Sequence, residues 1–270
     1  MINVPFTKAH GAGNDFLLTW AREGPSEKLA DVARAICDRH AGIGADGWIL
    51  VFPAARGSEG YDAAIRLFNS DGSEAEISGN GTRCAAALLI DSGIAGSELA
   101  IRTGAGVKRL RLTSRQDCLF WFEMHMGQPM FSPEQLNTSI PLPSGEREVT
   151  ILNVGNPQCV RFIESFDFDW RGEGAAIERH SWFPNRTNVS FVRVVDEHTL
   201  DVRFFERGAG ETMSSGTGAT GAAVAAILRG FARTPIRVLT PAGILELRYE
   251  NGEAYLTGPA EIVGRGEFYH

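Results

Sequence analysis

The sequence predicts an α/β (α+β) protein of two pseudo-symmetric domains, each a mixed or antiparallel sheet wrapped around a central helix. Three observations carry that prediction. The first is an internal repeat: "SGNGTRCAAALLI", starting at Ser78, aligns without gaps on "SGTGATGAAVAAI", starting at Ser215, sharing the serine, two glycines, two alanines and the closing isoleucine. The second is that strand-like segments precede and follow both copies. The third is the alanine content of both helices, whose small side chains suit a helix packed closely on all sides. A chain of 270 residues has room for two domains with separate cores.

In chain order, "PSEKLADVARAICDRHAGIG" places Leu29, Val32, Ala33 and Ile36 at helical spacing, with Ser26 as N-cap, Gly42 beyond the last turn and His40 at the C-terminal end. "GWILVF", "AIRLF", "LAIRT", "VKRLRLT" and "CLFWFEM" then read as strands of a half-buried sheet. A loop is expected over "GQPMFSPEQLNTSIPLPSGE". Beyond it, "VTILNV", "CVRFI", "NVSFVRVV" and "LDVRFF" precede the helix from 216, and "IRVLT", "ILELRY" and "EAYLTG" follow it. The second half repeats the plan of the first.

Composition narrows the function. With 43% hydrophobic and 22% charged residues, and no run of 18 apolar residues, the chain is expected to be globular and not to span a membrane. No signal peptide is visible at the N-terminus, so a cytoplasmic location is expected. A net charge of -7 opposes nucleic-acid binding. Cys37, Cys84, Cys118 and Cys159 lack C-x-x-C spacing and are expected to be buried thiols, and the six histidines lack metal-ligand spacing. No metal is expected.

The repeated Gly-rich turns carry the chemistry. The first turn of a helix exposes unpaired N–H groups at the positive end of its dipole, and glycines there let an anion approach the backbone. Gly79, Asn80 and Gly81 offer one such set; Gly216, Thr217 and Gly218 offer the other. Two such ends facing each other would grip one carboxylate. The same glycines also suit plain tight turns, and "GTGATG" from Gly216 to Gly221 matches the dinucleotide pattern G-x-G-x-x-G. Against the cofactor reading, the preceding "ERGAGETMSS" is turn-like and no ribose-binding acid follows a second strand.

Six segments, in order, resemble diaminopimelate epimerase: "KAHGAGNDF" (8 to 16), "DRHAGIGADG" (38 to 47), "FNSDGSEAEISGNGTRC" (68 to 84), "NVGNPQC" (153 to 159), "FPNRTNV" (183 to 189) and "FERGAGETMSSGTGATG" (205 to 221). The resemblance implies a cofactor-independent amino-acid epimerase of lysine and cell-wall biosynthesis. It implies two similar domains, 1–125 and 126–262, closing over substrate, a tail at 263–270 returning to the first, and a homodimer. Its reaction interconverts LL- and meso-diaminopimelate by removing the α-proton from one face and returning one to the other.

By the same resemblance Asn14, Asn69, Asn156, Asn188, Glu206 and Arg207 recognise substrate, with Gly79, Asn80, Gly216 and Thr217 at the helix turns. Arg207 suits a carboxylate and Glu206 an ammonium. The sequence departs from the family at its centre: the acid and base cysteines fall on Ser78 and Ser215. A hydroxyl's pKa lies far above the thiol's reference of about 8.5, which penalises proton transfer in both directions, so weak or altered turnover is expected. Serine there suits deliberate replacement, a natural subfamily, or a protein that binds an amino acid without turning it over. Gln158 also stands where the family commonly has His, and Gly47 where some relatives have Gln.

Overall fold

The computed structural model describes residues 3–55 and 60–270. Contacts divide it into two compact units, Met1–Met124 with Gly258–His270, and His125–Thr257. In the first, strands β1 (Asn3–Gly11), β2 (Asn14–Trp20), β3 (Gly47–Pro53), β4 (Ala63–Asn69), β5 (Glu74–Ala75), β6 (Glu98–Thr103), β7 (Gly106–Gln116) and β8 (Leu119–Gly127) are joined by helices α1 (Leu29–Cys37) and α2 (Gly79–Asp91). In the second, β9 (Thr138–Leu142), β10 (Gly145–Asn153), β11 (Pro157–Phe162), β12 (Asn188–Asp196), β13 (Thr199–Glu206), β14 (Gly210–Thr212), β15 (Ile236–Thr240) and β16 (Gly243–Glu250) are joined by α3 (Trp170–Glu178) and α4 (Gly216–Leu228). Strand β17 (Glu253–Tyr269) runs through the boundary.

The internal repeat extends to a series of seven strand pairings in each unit. In the first unit β1–β2 is antiparallel, β2–β3 parallel, β3–β4 and β4–β5 antiparallel, β4–β6 parallel, and β6–β7 and β7–β8 antiparallel. The second unit repeats that series from β10 to β17 in the same order. The first unit is completed by its distant end, since β1 pairs with β17 from Asn3↔Tyr269 to His10↔Glu261.

Each unit wraps its sheet around one helix and carries another outside. Helix α2 touches β1, β2, β3, β4 and β6, and α4 touches β10, β11, β12, β13, β15 and β16. Both are therefore buried along almost their whole length, from Asn80 to Leu89 and from Gly218 to Ala226, where alanine leaves room for strands on every side. Helix α1 buries only one stripe, Val32, Ala33, Ile36 and Cys37, against Val4, Leu17, Trp48, Leu50 and Phe68. Helix α3 sets Trp170 and Ile177 against Ile140, Val149, Val189 and Phe191.

Several expectations need correction. Ser26 does not cap α1, because the helix starts later, from Lys28 in the left-handed region at φ 54° with no side-chain cap. His40 lies outside the helix, in a turn where Asp38 accepts its N–H at 2.7 Å. Residues 127–146 are not one loop: they contain a short 3-10 turn, Pro133–Gln135, and strand β9. Cys118 is exposed at the β7–β8 turn, whereas Cys37, Cys84 and Cys159 are buried.

Candidate functional site

Ser78 and Ser215 occupy the same structural position in the two units. Each is the N-cap of a helix of 13 residues, with φ -131° and ψ 123° at Ser78 and φ -137° and ψ 122° at Ser215. Each hydroxyl accepts the N–H three residues on, Gly81 at 3.1 Å and Gly218 at 3.1 Å. One first-turn donor is thereby satisfied and the chain is bent so that the turn can present those that remain.

The glycines do unequal work. A Cβ on Gly218 would sit 2.7 Å from the Phe204 ring, so packing requires glycine there, and one on Gly81 would sit 3.0 Å from Ile49, a contact tight enough to favour glycine. Gly221 is likewise close to Gln158, at 3.0 Å, so two of the three glycines of the dinucleotide-like pattern are accounted for by neighbouring side chains. Gly79 is different. Its φ is not positive and a Cβ there would meet nothing nearer than the Met124 methyl at 3.5 Å. Neither backbone nor packing demands glycine at 79, which leaves bare backbone facing whatever approaches the first turn of α2.

Around α2, Asn80 is buried and held by three neighbours. Its amide donates to Asn14 Oδ1 at 3.3 Å, its carbonyl accepts from Arg83 Nη2, and the β1–β2 hairpin brings Gly11 so near that a Cβ there would lie 3.2 Å from it. Asn14 in turn donates to Asp46 at 2.6 Å. Asp46 and Asp15 share Arg39, at 2.8 Å and 2.7 Å, and Lys8 lies 3.1 Å from Asp15. Burial would raise the Asp15 carboxyl, but Arg39 and Lys8 outweigh it and hold the group below its ordinary value. The segments 8–16 and 38–47 thus form one charged brace for Asn14. Asn69 is exposed and its amide donates to Ser73 at 2.9 Å, within the β4–β5 turn.

Around α4, Asn156 donates to Thr217 Oγ1 at 3.2 Å and accepts from Gln158 Nε2 at 2.6 Å. The repeat is legible here too, since Asn156 meets Thr217 just as Asn14 meets Asn80, two residues beyond the capping serine. Asn188 is buried, donating to Pro157 O at 3.0 Å and accepting the Arg207 N–H at 3.0 Å. The Arg207 side chain is exposed, with one contact to Asn185 O at 3.5 Å, and forms no ion pair among the described residues.

Glu206 is the most telling of these groups. Ser215 Oγ donates to its Oε2 at 2.8 Å and Thr212 Oγ1 to its Oε1 at 2.6 Å. Burial pushes the Glu206 carboxyl above its ordinary value, opposed by those two hydroxyl donors. Ser215 therefore points its proton at a carboxylate whose affinity for protons is increased. The register explains the meeting: Glu206 pairs with Gly210 and Phe204 with Thr212 across the β13–β14 hairpin, which folds the acid back over the start of α4.

Glu178 was not singled out from the sequence. It is buried at the end of α3, accepting Gly208 N–H at 3.0 Å, Arg179 Nε at 3.1 Å and Arg186 Nη1 at 3.4 Å. Burial opposes its charge, but the Gly208 N–H and the two arginines outweigh that and hold it low. It clamps the turn that carries Arg207 to the segment that carries Asn188. The buried thiols are no substitute for the serines: burial pushes Cys84 up to about 12 and Cys159 further still.

The family model described as "Diaminopimelate epimerase" matches residues 6–132 and 150–263. The diaminopimelate epimerase of Moorella thermoacetica is 41% identical, covering 97% of this chain and 98% of that one. That of Acetivibrio thermocellus is 37% identical over 97% of each. Among solved structures, a PhzF-family phenazine biosynthesis protein from Bacillus anthracis superimposes with a TM-score of 0.72 at 17% identity, over 100% of both chains. A hydroxyproline epimerase from Agrobacterium vitis does so at 0.68 and 15%, over 99% of this chain and 91% of that one. At such identities these last two speak for the fold alone.

Proposed function

Because the chain belongs to the diaminopimelate epimerase family of isomerases, we propose that it interconverts LL- and meso-diaminopimelate, with Ser78 and Ser215 as the two proton-transfer groups. The observation that carries this reading is the bond from Ser215 to Glu206, at 2.8 Å. A serine hydroxyl is a poor base by itself. With a part-buried carboxylate taking its proton, Ser215 can take the α-proton in turn, and the pair does together what a thiolate would do alone.

The reaction needs a second group on the opposite face of the α-carbon, and Ser78 is the repeat-related candidate. As the α-proton leaves, charge builds on the substrate's carboxylate, where first-turn N–H groups and the dipole of a helix are worth most. Gly79, Asn80, Gly216 and Thr217 would supply that cradle. Arg207, exposed and without an ion pair among the described residues, suits the distal carboxylate in a bidentate pair. Asn14, Asn69, Asn156 and Asn188 would orient the remaining polar groups of the substrate. Family membership also supports a homodimer working in the cytoplasm.

Incubation with LL-diaminopimelate in deuterated water tests the reading. α-Deuterium incorporation together with appearance of the meso form is the expected result. Saturable binding without exchange would instead make the chain an amino-acid-binding protein on an enzyme's fold, and absence of binding would remove diaminopimelate from consideration.

A further inference from the structure

Arg83 sets the α2 site apart from its repeat, where the same helical position holds Thr220. Its side chain is fully buried in the first unit. Nε donates to Pro259 O at 3.1 Å and Nη2 to Asn80 Oδ1, but Nη1 has no hydrogen-bond partner among the described residues. That nitrogen lies 3.9 Å from the place a Cβ on Gly79 would take, beside the first turn of α2.

Among the described residues no carboxylate pairs with the charge. Burial pulls the guanidinium down to about 10, so it remains protonated at neutral pH, and its ionisable neighbour Cys84 is a neutral thiol there. The positive end of the α2 dipole and an uncompensated cation therefore coincide. Stability alone would not select this, since cations are favoured at the opposite end of a helix and buried charges normally come paired. An anion resting on the turn of Gly79 and Asn80 would relieve both.

We propose that Arg83 is a positioning residue: through Asn80, and through its unpaired Nη1 beside Gly79, it sets the positive potential that holds a carboxylate over the N-terminus of α2. The identity of that carboxylate as diaminopimelate rests on the function proposed above. The potential itself does not.

The test uses the full chain with Arg83→Met and Arg83→Lys, titrated with diaminopimelate by calorimetry and melted without ligand. Arg83→Met should weaken binding about tenfold or more, as befits loss of a charge-assisted contact, and Arg83→Lys should lie between it and the parent. The ligand-free melting temperature of Arg83→Met should equal or exceed the parent's. A purely structural arginine would give the opposite pattern, with a lower melting temperature and no advantage of Lys over Met; either finding, or unchanged binding in Arg83→Met, overturns the inference. If Arg83→Met does not fold, Arg83→Gln takes its place, and failure of both neutral variants to fold also overturns it. Should the parent not bind diaminopimelate, the same proteins are melted with malonate. Stabilisation of the parent and of Arg83→Lys but not of the neutral variant keeps the inference while removing the substrate, and stabilisation of none of them removes both.

Discussion

The starts of α2 and α4 have nearly identical backbones and opposite electrostatics. Counting from the capping serines and the strand registers, Asn14 corresponds to Asn156, Asn69 to Glu206, Asn80 to Thr217 and Arg83 to Thr220. At α4 the capping hydroxyl donates a hydrogen bond to a part-buried acid; at α2 the residue corresponding to that acid is an amide turned toward Ser73, and a buried cation lies beside the turn instead. Duplication thus preserved the geometry that presents N–H groups while the surroundings diverged. A reaction that draws a proton from one face of a carbon and supplies one to the other needs one group deprotonated while the other is protonated, and unlike surroundings are one way to hold two like groups in different states.

The largest expected effect comes from erasing what the two starts share, their oxygen. Ser78→Cys combined with Ser215→Cys should raise α-deuterium exchange by roughly a hundredfold or more, because sulfur titrates near the working pH. Either change alone should help little, since protons move on both faces. No gain from the double change would mean that the pocket no longer suits this substrate.

Next come the residues in which the two starts differ. Glu206→Gln should lower kcat/KM for exchange by about 10²–10⁴, the range for losing a general base. Asn69→Ala, at the corresponding place, removes a hydrogen-bonding contact and should cost about tenfold. Equal losses would break the comparison, by making the two positions equivalent after all.

Glycines sharpen it further. Gly218→Ala drives a methyl into Phe204 and should cost about 1–3 kcal/mol in a denaturant titration, as overpacking does. Gly79→Ala meets nothing closer than an ordinary contact with the Met124 methyl, in a helical turn, and should leave stability unchanged or raise it by up to about 1 kcal/mol, while weakening carboxylate binding. A large loss of stability at Gly79 would return that glycine to a packing role.

The smallest effect is a dependence on pH. Since the folded protein raises the Glu206 carboxyl, it binds that proton more tightly than the unfolded chain does. The associated stability is therefore complete below the ordinary glutamate value and is lost as pH rises through the raised one. Activity needs the ionised acid, so it should grow across the same window. Parallel melting and kcat/KM profiles should thus slope in opposite directions, and Glu206→Gln should flatten the part of each that belongs to this group.

Much of this architecture was legible in the sequence because its signals are local. A capping serine, a glycine three residues on and a run of alanines mark both central helices, and alternating apolar residues mark most strands. What escaped depends on partners distant in the chain or on preferences that tertiary packing overrides. Helix α3 contains Gly172 and Gly174, which argue against a helix. Yet Asp169 caps it at 2.9 Å, and Gly174 is there because Phe205 leaves a Cβ only 2.9 Å of clearance. Glu178 looks like any helix-terminal acid until the 206–208 turn is folded onto it. The Ser215–Glu206 bond needs the β13–β14 hairpin to bring together residues nine positions apart. Arg83 alone left a trace, as a charge inside an otherwise small and apolar helix, a pattern that marks a polar group brought indoors for a reason.

The antiparallel ladder between β1 and the far end of β17 has a consequence for synthesis. A ribosome completes residues 125–257, with every strand they pair among themselves, while β1 still lacks the neighbour that arrives as Gly258–His270. The unit of residues 125–257 can mature first and the earlier unit must wait for residues 258–270, reversing the usual order of cotranslational folding. A stalled or clipped product lacking residues 258–270 would therefore expose the β1 margin of its sheet to aggregation, however sound the rest of the chain.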